Sequence, residues 1–197
     1  MKPFVKFILA GSVVATVEEF LTIVVLKRDW PSYVFTLLIL FPIFLTLVFF
    51  TSRALDRFWK TENAREVAHF ATYGMAGMMI EWFLIGLAPW KNSHGHPILM
   101  LLFQLGMFSF WSTVGFAPRL YLNSSEAARH TRRKLARFFR IWFAFVYPLV
   151  LILPQEKRFG PTIVLIILGY LTVNVGFLRY FWAASHRSES PAPSPMQ

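Results

Sequence analysis

"GSVVATVEEFLTIVV", residues 11–25, sets two adjacent carboxylates, Glu18 and Glu19, in a stretch otherwise made for hydrocarbon. An acid inside a bilayer is costly to keep and faces a bundle interior or a polar cavity rather than acyl chains. The stretch therefore predicts a helix with two unlike sides. At about 100° per residue, Gly11, Ser12, Ala15, Thr16, Glu18, Glu19 and Thr22 share one sector, and Val13, Val14, Val17, Phe20, Leu21, Val24 and Val25 fill the other. Small residues on the first side permit close helix approach.

The rest of the chain fits that solvent. Its 197 residues are 56% hydrophobic and 15% charged, and the apolar residues come in blocks of about 20, the length that crosses a bilayer as a helix. Six spans are predicted, Phe4 to Leu26, Tyr33 to Phe50, Phe70 to Pro89, Pro97 to Leu120, Phe138 to Leu153 and Thr162 to Trp182. Helices satisfy their own backbone groups where no water is available, so the expected fold is an all-α polytopic membrane protein. Short connections at 27–32, 90–96 and 154–160 alternate with long basic ones at 51–69 and 121–137, which predicts three helical hairpins.

Charge sets the expected orientation. Most of the 20 Lys and Arg lie in the long connections and near the termini, so the positive-inside rule predicts a multi-pass protein of the cell membrane with both termini cytoplasmic. The net charge of +10 then reads as attraction to anionic headgroups at the cytoplasmic face, above all along "RHTRRKLARFFR" (129–140), and no nucleic-acid partner is expected. The opening apolar run is too long and too acidic for a signal peptide and reads as a retained first helix. Residues 1–184 form one transmembrane domain on this reading, and the polar Pro/Ser tail at 185–197 is expected to be disordered. Trp30, Trp59, Trp90 and Trp182 fall near span ends, as interfacial anchors do.

An internal repeat is also expected. An offset of 63 aligns Gly11 with Gly74 and Glu18 with Glu81, and proline opens both following helices at Pro31 and Pro97. The third pair of spans shares only its turn, "KRFGPT" against "KRDWPS", and carries Pro148 where the glutamate would stand.

The chemistry-bearing candidates are few. With no cysteine there are neither disulfides nor thiolate sites. Glu18, Glu19 and Glu81 are the candidate catalytic acids, and Glu18 and Glu81, at similar depth from the outer helix ends, are the candidate ligand-binding pair, with Gln104, Thr113 and Asn174 as polar neighbours within the spans. A carboxylic acid held away from water without a cation favours its neutral form, which makes it either a proton-exchanging group or interhelical glue. His94 and His96 form an H-x-H that lacks a third ligand; no metal and no cofactor is expected.

Two functions follow. One is binding, transport or assembly of a membrane-associated ligand, linked to a proton or cation, by an oligomer or a subunit of a larger complex. The other is a cofactor-independent enzyme in which a neutral acid protonates an apolar lipid or isoprenoid and aromatic faces stabilise the cation. The segment "TVEEFL", Thr16 to Leu21, resembles the paired-glutamate segment of the small membrane carotenoid cyclases of the lycopene cyclase type, although that family carries proline where Thr16 stands. The resemblance implies Glu18 and Glu19 as acid and base.

Overall fold

Turn chemistry at the ends of the apolar blocks sets where helices start and stop. After the first block, Arg28 takes a left-handed conformation (φ 58°), and the Asp29 carboxylate accepts from the Ser32 amide at 3.0 Å, capping a helix that carries Pro31 in its first turn. Ser125 caps another helix by accepting from the Ala128 amide at 3.2 Å. Arg158 donates to the Leu153 and Leu151 carbonyls at 2.6 and 3.0 Å and so covers the open end of the helix before it.

The computed structural model describes residues 3–59, 61–91 and 96–187 and is all-helical over them. Six helices are long and apolar enough to cross a membrane: α1 Pro3–Leu26, α2 Trp30–Phe58, α3 Ala64–Lys91, α4 Pro97–Leu122, α5 Glu126–Ile152 and α6 Gln155–Trp182. The helical backbone of α6 runs on to Arg187, and residues 188–197, most of the expected tail, lie outside the described residues.

Half of the most apolar stretch of α4 is buried, 50% against 11% for α5. That makes α4 the axis of the bundle, in contact with α1, α3, α5 and α6. Small residues explain it. A Cβ on Gly74, Gly77, Gly106 or Gly115 would collide with Phe108, Trp111, Ile167 or Tyr73 respectively, so these positions are where the helices touch. Large aromatics fill the space between, with Trp111, Tyr73, Phe41, Phe44, Phe116 and Phe177 essentially fully buried.

Three predictions are corrected. The long basic connections at 51–69 and 121–137 are mostly helix, because α2 continues to Phe58, the next helix begins at Glu62, and α5 begins at Glu126. Those segments are rich in Ala and Arg and contain neither Gly nor Pro, so the helices simply project past their apolar sections. Likewise α6 starts at Gln155 and holds Pro161 inside it, where a connection was expected. Finally, Leu21 and Val24, assigned to the lipid side, are buried, at 0% and 8% exposure. They follow Glu18 at steps of three, and on that side α2 and α6 pack against the Phe20–Leu26 segment, itself a π-helix, so the side read as facing lipid is covered by neighbours.

Candidate functional site

The buried side of α1 is Phe7, Gly11, Ala15 and Glu18, at steps of four, four and three. Glu18 is therefore carried inward by helical spacing, 7% exposed. Glu19, next along, is half-buried, and its Oε2 accepts from the Thr22 hydroxyl at 3.3 Å. The same Thr22 hydroxyl lies 3.3 Å from the Glu18 carbonyl and 3.5 Å from that of Glu19. A hydroxyl competing for those carbonyls accounts for the widened turn that begins at Phe20.

Glu81 arrives from α3 on the face of Gly74 and Gly77, within a second π-helical turn, Ile80–Ile85, that ends at left-handed Gly86 (φ 86°). Because Gly77 has no side chain, the Trp111 ring lies directly against α3, and its indole N–H donates to Glu81 Oε1 at 3.0 Å. Glu81 acts electrostatically on both Glu18 and Glu19, and Lys27, at the end of α1, acts on all three carboxylates. Glu18, Glu19 and Glu81 are thus in electrostatic reach of one another, with a lysine at the margin.

Tyrosines complete the surroundings. Tyr33 of α2 donates to the Thr16 carbonyl at 3.4 Å and Tyr147 of α5 donates to the Val17 carbonyl at 3.1 Å. Both bonds fall on the turn of α1 just before the acids. Tyr170 of α6 is 4% exposed; its hydroxyl is in electrostatic reach of Glu18, Glu19 and Tyr147 but has no hydrogen-bond partner. All six spans therefore send a polar side chain to one depth of the bundle. Beside Glu81, Trp111 packs on Phe44, Phe110 and Phe41 with ring centroids 4.6, 5.3 and 5.4 Å apart.

The other predicted neighbours make their hydrogen bonds to groups other than the acids. Gln104 accepts from the Trp82 indole at 2.7 Å and donates to the Leu87 carbonyl at 3.4 Å, which ties α3 to α4. Thr113 donates to the Ser109 carbonyl at 2.7 Å in its own helix. Asn174 donates to the Ser109 hydroxyl, and its own carbonyl oxygen has no partner. His96 is exposed ahead of α4, while His94 lies outside the described residues. Among the described residues no group of three or more His, Cys, Asp or Glu is arranged to hold a metal.

A second polar cluster was not foreseen. Arg119 of α4 donates from Nε to both Glu66 oxygens at 3.0 and 3.1 Å, and from Nη2 to Glu66 at 2.8 Å and Asp56 at 3.0 Å. Asp56 also pairs with His69 Nε2 at 2.9 Å and with Arg65 at 3.5 Å. His69 Nδ1 meets the Tyr73 hydroxyl at 2.9 Å, and Tyr73 in turn bonds Ser52. His69 and Tyr73 are fully buried. A cavity of about 360 Å³ opens beside the cluster, lined among others by Ser52, Arg53, Asp56, Arg65, Glu66 and Arg119. The signal was in the sequence: Glu66, His69 and Tyr73, at i, i+3 and i+7, share one helical face. It was hidden because 51–69 was read as a connection.

No protein-family model, curated protein or solved structure matches the chain. Fold and site define a class all the same: a six-helix protein of the membrane-spanning kind, in contact with lipid, that keeps carboxylates buried among its helices.

Proposed function

We propose that this protein binds a proton or a small cationic ligand group at Glu18, Glu19 and Glu81, and that a transport or assembly role in the membrane is linked to it. One observation carries the reading: three acids from α1 and α3 are gathered within electrostatic reach of one another, and among the described residues Lys27 is the cation that acts on all three. Like charges at close range disfavour simultaneous ionisation, so such a group either holds protons or awaits a cation. The partnerless Tyr170 hydroxyl supports it, since a buried hydroxyl left unpaired costs about 1–3 kcal/mol unless something occupies its bonds.

The test is infrared difference spectroscopy of the purified protein across a pH titration, on wild type and on Glu18→Gln and Glu81→Gln. A protonated-carboxyl band that vanishes in either variant, with folding retained, is the expected outcome. Spectra identical in all three would leave the acids as packing elements.

The aromatic cluster of Trp111, Phe41, Phe44 and Phe110 beside Glu81 favours a second reading, acid catalysis on an isoprenoid or other apolar lipid by Glu18, Glu19 or Glu81. Lipid and isoprenoid profiles of cells with and without the protein separate the two, because only an enzyme changes a product.

Around this core, the reading places both termini in the cytoplasm and the chain in the cell membrane as a single domain with a polar tail. It treats α1–α2, α3–α4 and α5–α6 as hairpins. The repeat finds support in α1 and α3, each of which pairs a glycine-bearing face with a glutamate at a π-helical turn. A groove of about 600 Å³ between α5 and α6, with Lys134 and Arg179 above Leu135 and Phe138, suits an anionic lipid headgroup. Exposed α5 gives an oligomer a face to use.

A further inference from the structure

We infer that His69 is a second proton-binding site, served by Ser52 and Tyr73 as a relay from the neighbouring cavity, so that one added proton reverses the hydrogen bonds of both hydroxyls together. The inference does not rest on the glutamates.

The positions of the hydrogens follow from what each atom can do. Asp56 takes two bonds from the Arg119 guanidinium, at 3.0 and 3.4 Å, and acts as an ionised acceptor. His69 Nε2, 2.9 Å from Asp56 Oδ1, therefore carries a hydrogen and donates it. Only Nδ1 remains variable. When His69 is neutral, the Tyr73 hydroxyl donates to Nδ1 and the Ser52 hydroxyl donates to Tyr73. When His69 is charged, Nδ1–H donates to the Tyr73 oxygen, Tyr73 donates to Ser52, and the freed Ser52 hydroxyl donates to the Val48 carbonyl, 2.8 Å away.

Every hydrogen has an acceptor in both arrangements. The charged one has an additional bond, because the Val48 carbonyl stands ready at the end of the line. The step between them balances. A proton from water in the cavity bonds to Ser52 Oγ; the hydrogen formerly on Ser52 passes to the Tyr73 oxygen; the hydrogen formerly on Tyr73 passes to Nδ1. One proton enters, none leaves, and no other bond changes. Ser52 is the member of the line that faces the cavity, which gives the proton its point of entry.

The charges facing His69 are few. Asp56 comes from α2, Arg119 from α4, and Glu66 from its own helix α3; Arg65, also on α3, pairs with Asp56, and Tyr180 of α6 lies near Glu66. The two acids and two arginines balance, so the proton adds a positive charge whose direct partner is Asp56.

The experiment is nitrogen-15 NMR of the full chain in nanodiscs, with the other four of its five histidines replaced and tyrosine ring carbons labelled, titrated over about pH 8 to 5, the range in which histidine ordinarily changes charge. The expected result is that Nδ1 becomes protonated while Nε2 stays so, and that one tyrosine signal, absent in Tyr73→Phe, moves with the same midpoint. Ser52→Ala, which removes the end of the line but keeps the His69–Tyr73 contact, is expected to lower that midpoint by about one pH unit, a tenfold loss of proton affinity. Nδ1 unprotonated over the whole range overturns the site. Protonation without a tyrosine response, or a midpoint indifferent to Ser52→Ala, overturns the relay. Glu18→Gln is expected to leave the titration unchanged, so this inference and the glutamate reading fail separately.

Discussion

Two acidic clusters lie on one helix, α3, and are built in opposite ways. Glu66 and Glu81 are fifteen residues apart, about 22 Å at the helical rise. At the Glu66 end, the Arg119 guanidinium spreads its donors over two carboxylates from two helices, and Asp56 serves a histidine as well. At the Glu81 end, an indole, a threonine hydroxyl and a lysine at the margin are what three carboxylates have among the described residues. The contrast lies in which group is open to a proton. At the Glu66 end arginine matches the carboxylates and leaves only the His69 ring to take one, whereas acids left short of cations have capacity themselves for a proton or a positive ligand.

The comparison breaks first at Arg119. Arg119→Met leaves Glu66 buried and unpaired, and removal of one member of a buried pair costs about 3–5 kcal/mol. Denaturant unfolding in detergent measures it, and a loss below about 1 kcal/mol would reduce the network to surface decoration. Gly77→Ala comes next. Its methyl group enters the space of the Trp111 ring, and overpacking of this kind costs about 1–3 kcal/mol. A shift in tryptophan emission, as the indole is pushed off Glu81, should accompany the loss.

Trp111→Phe sharpens the contrast rather than breaking it. The ring is largely kept and one N–H is lost, so the cost reports the charge on Glu81: about 1 kcal/mol for a bond to a neutral acid, and about 1.5–3 for one to a carboxylate. The smaller figure is expected, and unfolding of the variant beside the Glu81→Gln background reads it. The smallest effect is outside the spans, at Asp29. Hydrogen bonds from the Ser32 side chain and amide hold its carboxyl below the usual aspartate range. A depressed folded-state value means that Asp29 adds stability above the unfolded value and loses it as pH falls through the lower one. The stability gap between wild type and Asp29→Ala should therefore close in acid; a gap that stays constant with pH assigns the cap no charge.

Much of the glutamate site was legible in the chain. The spacing Gly11, Ala15, Glu18 is enough to point one acid inward, and Gly74, Gly77, Glu81 repeats the device, because close packing and helical periodicity both leave marks on sequence. What period cannot carry is a change of period. Phe20–Leu26 winds more widely than an α-helix, and the Thr22 hydroxyl at its start looks like any other threonine; nor does period say that α2 and α6 cover the side on which Leu21 and Val24 lie. In α2 the widened turn Thr36–Leu40 precedes Pro42, which cannot donate to the carbonyl four residues back, and there the cause is at least visible in the letters.

The second cluster was illegible for a different reason. Its members sit at 56, 66, 69 and 119, and no local pattern joins an aspartate to an arginine 63 positions later. Only the Glu66–His69–Tyr73 face was local, and the abundance of charge around it invited the reading of a solvated loop. Charges at the ends of spans serve two purposes, topology and pairing, and composition does not tell them apart.

The packed face of α1 also acts as a ruler. Gly11 touches Leu45 and Pro118 on two other helices, so its place in the bundle is pinned, and the seven-residue count from there to Glu18 decides where the carboxylate points. One residue inserted between them swings that group through about 100° to the direction Glu19 now takes and turns Val17 inward in its place, while the same insertion in the turn at 27–29 is absorbed by chain that spans nothing. Length, as much as residue type, keeps the acid indoors.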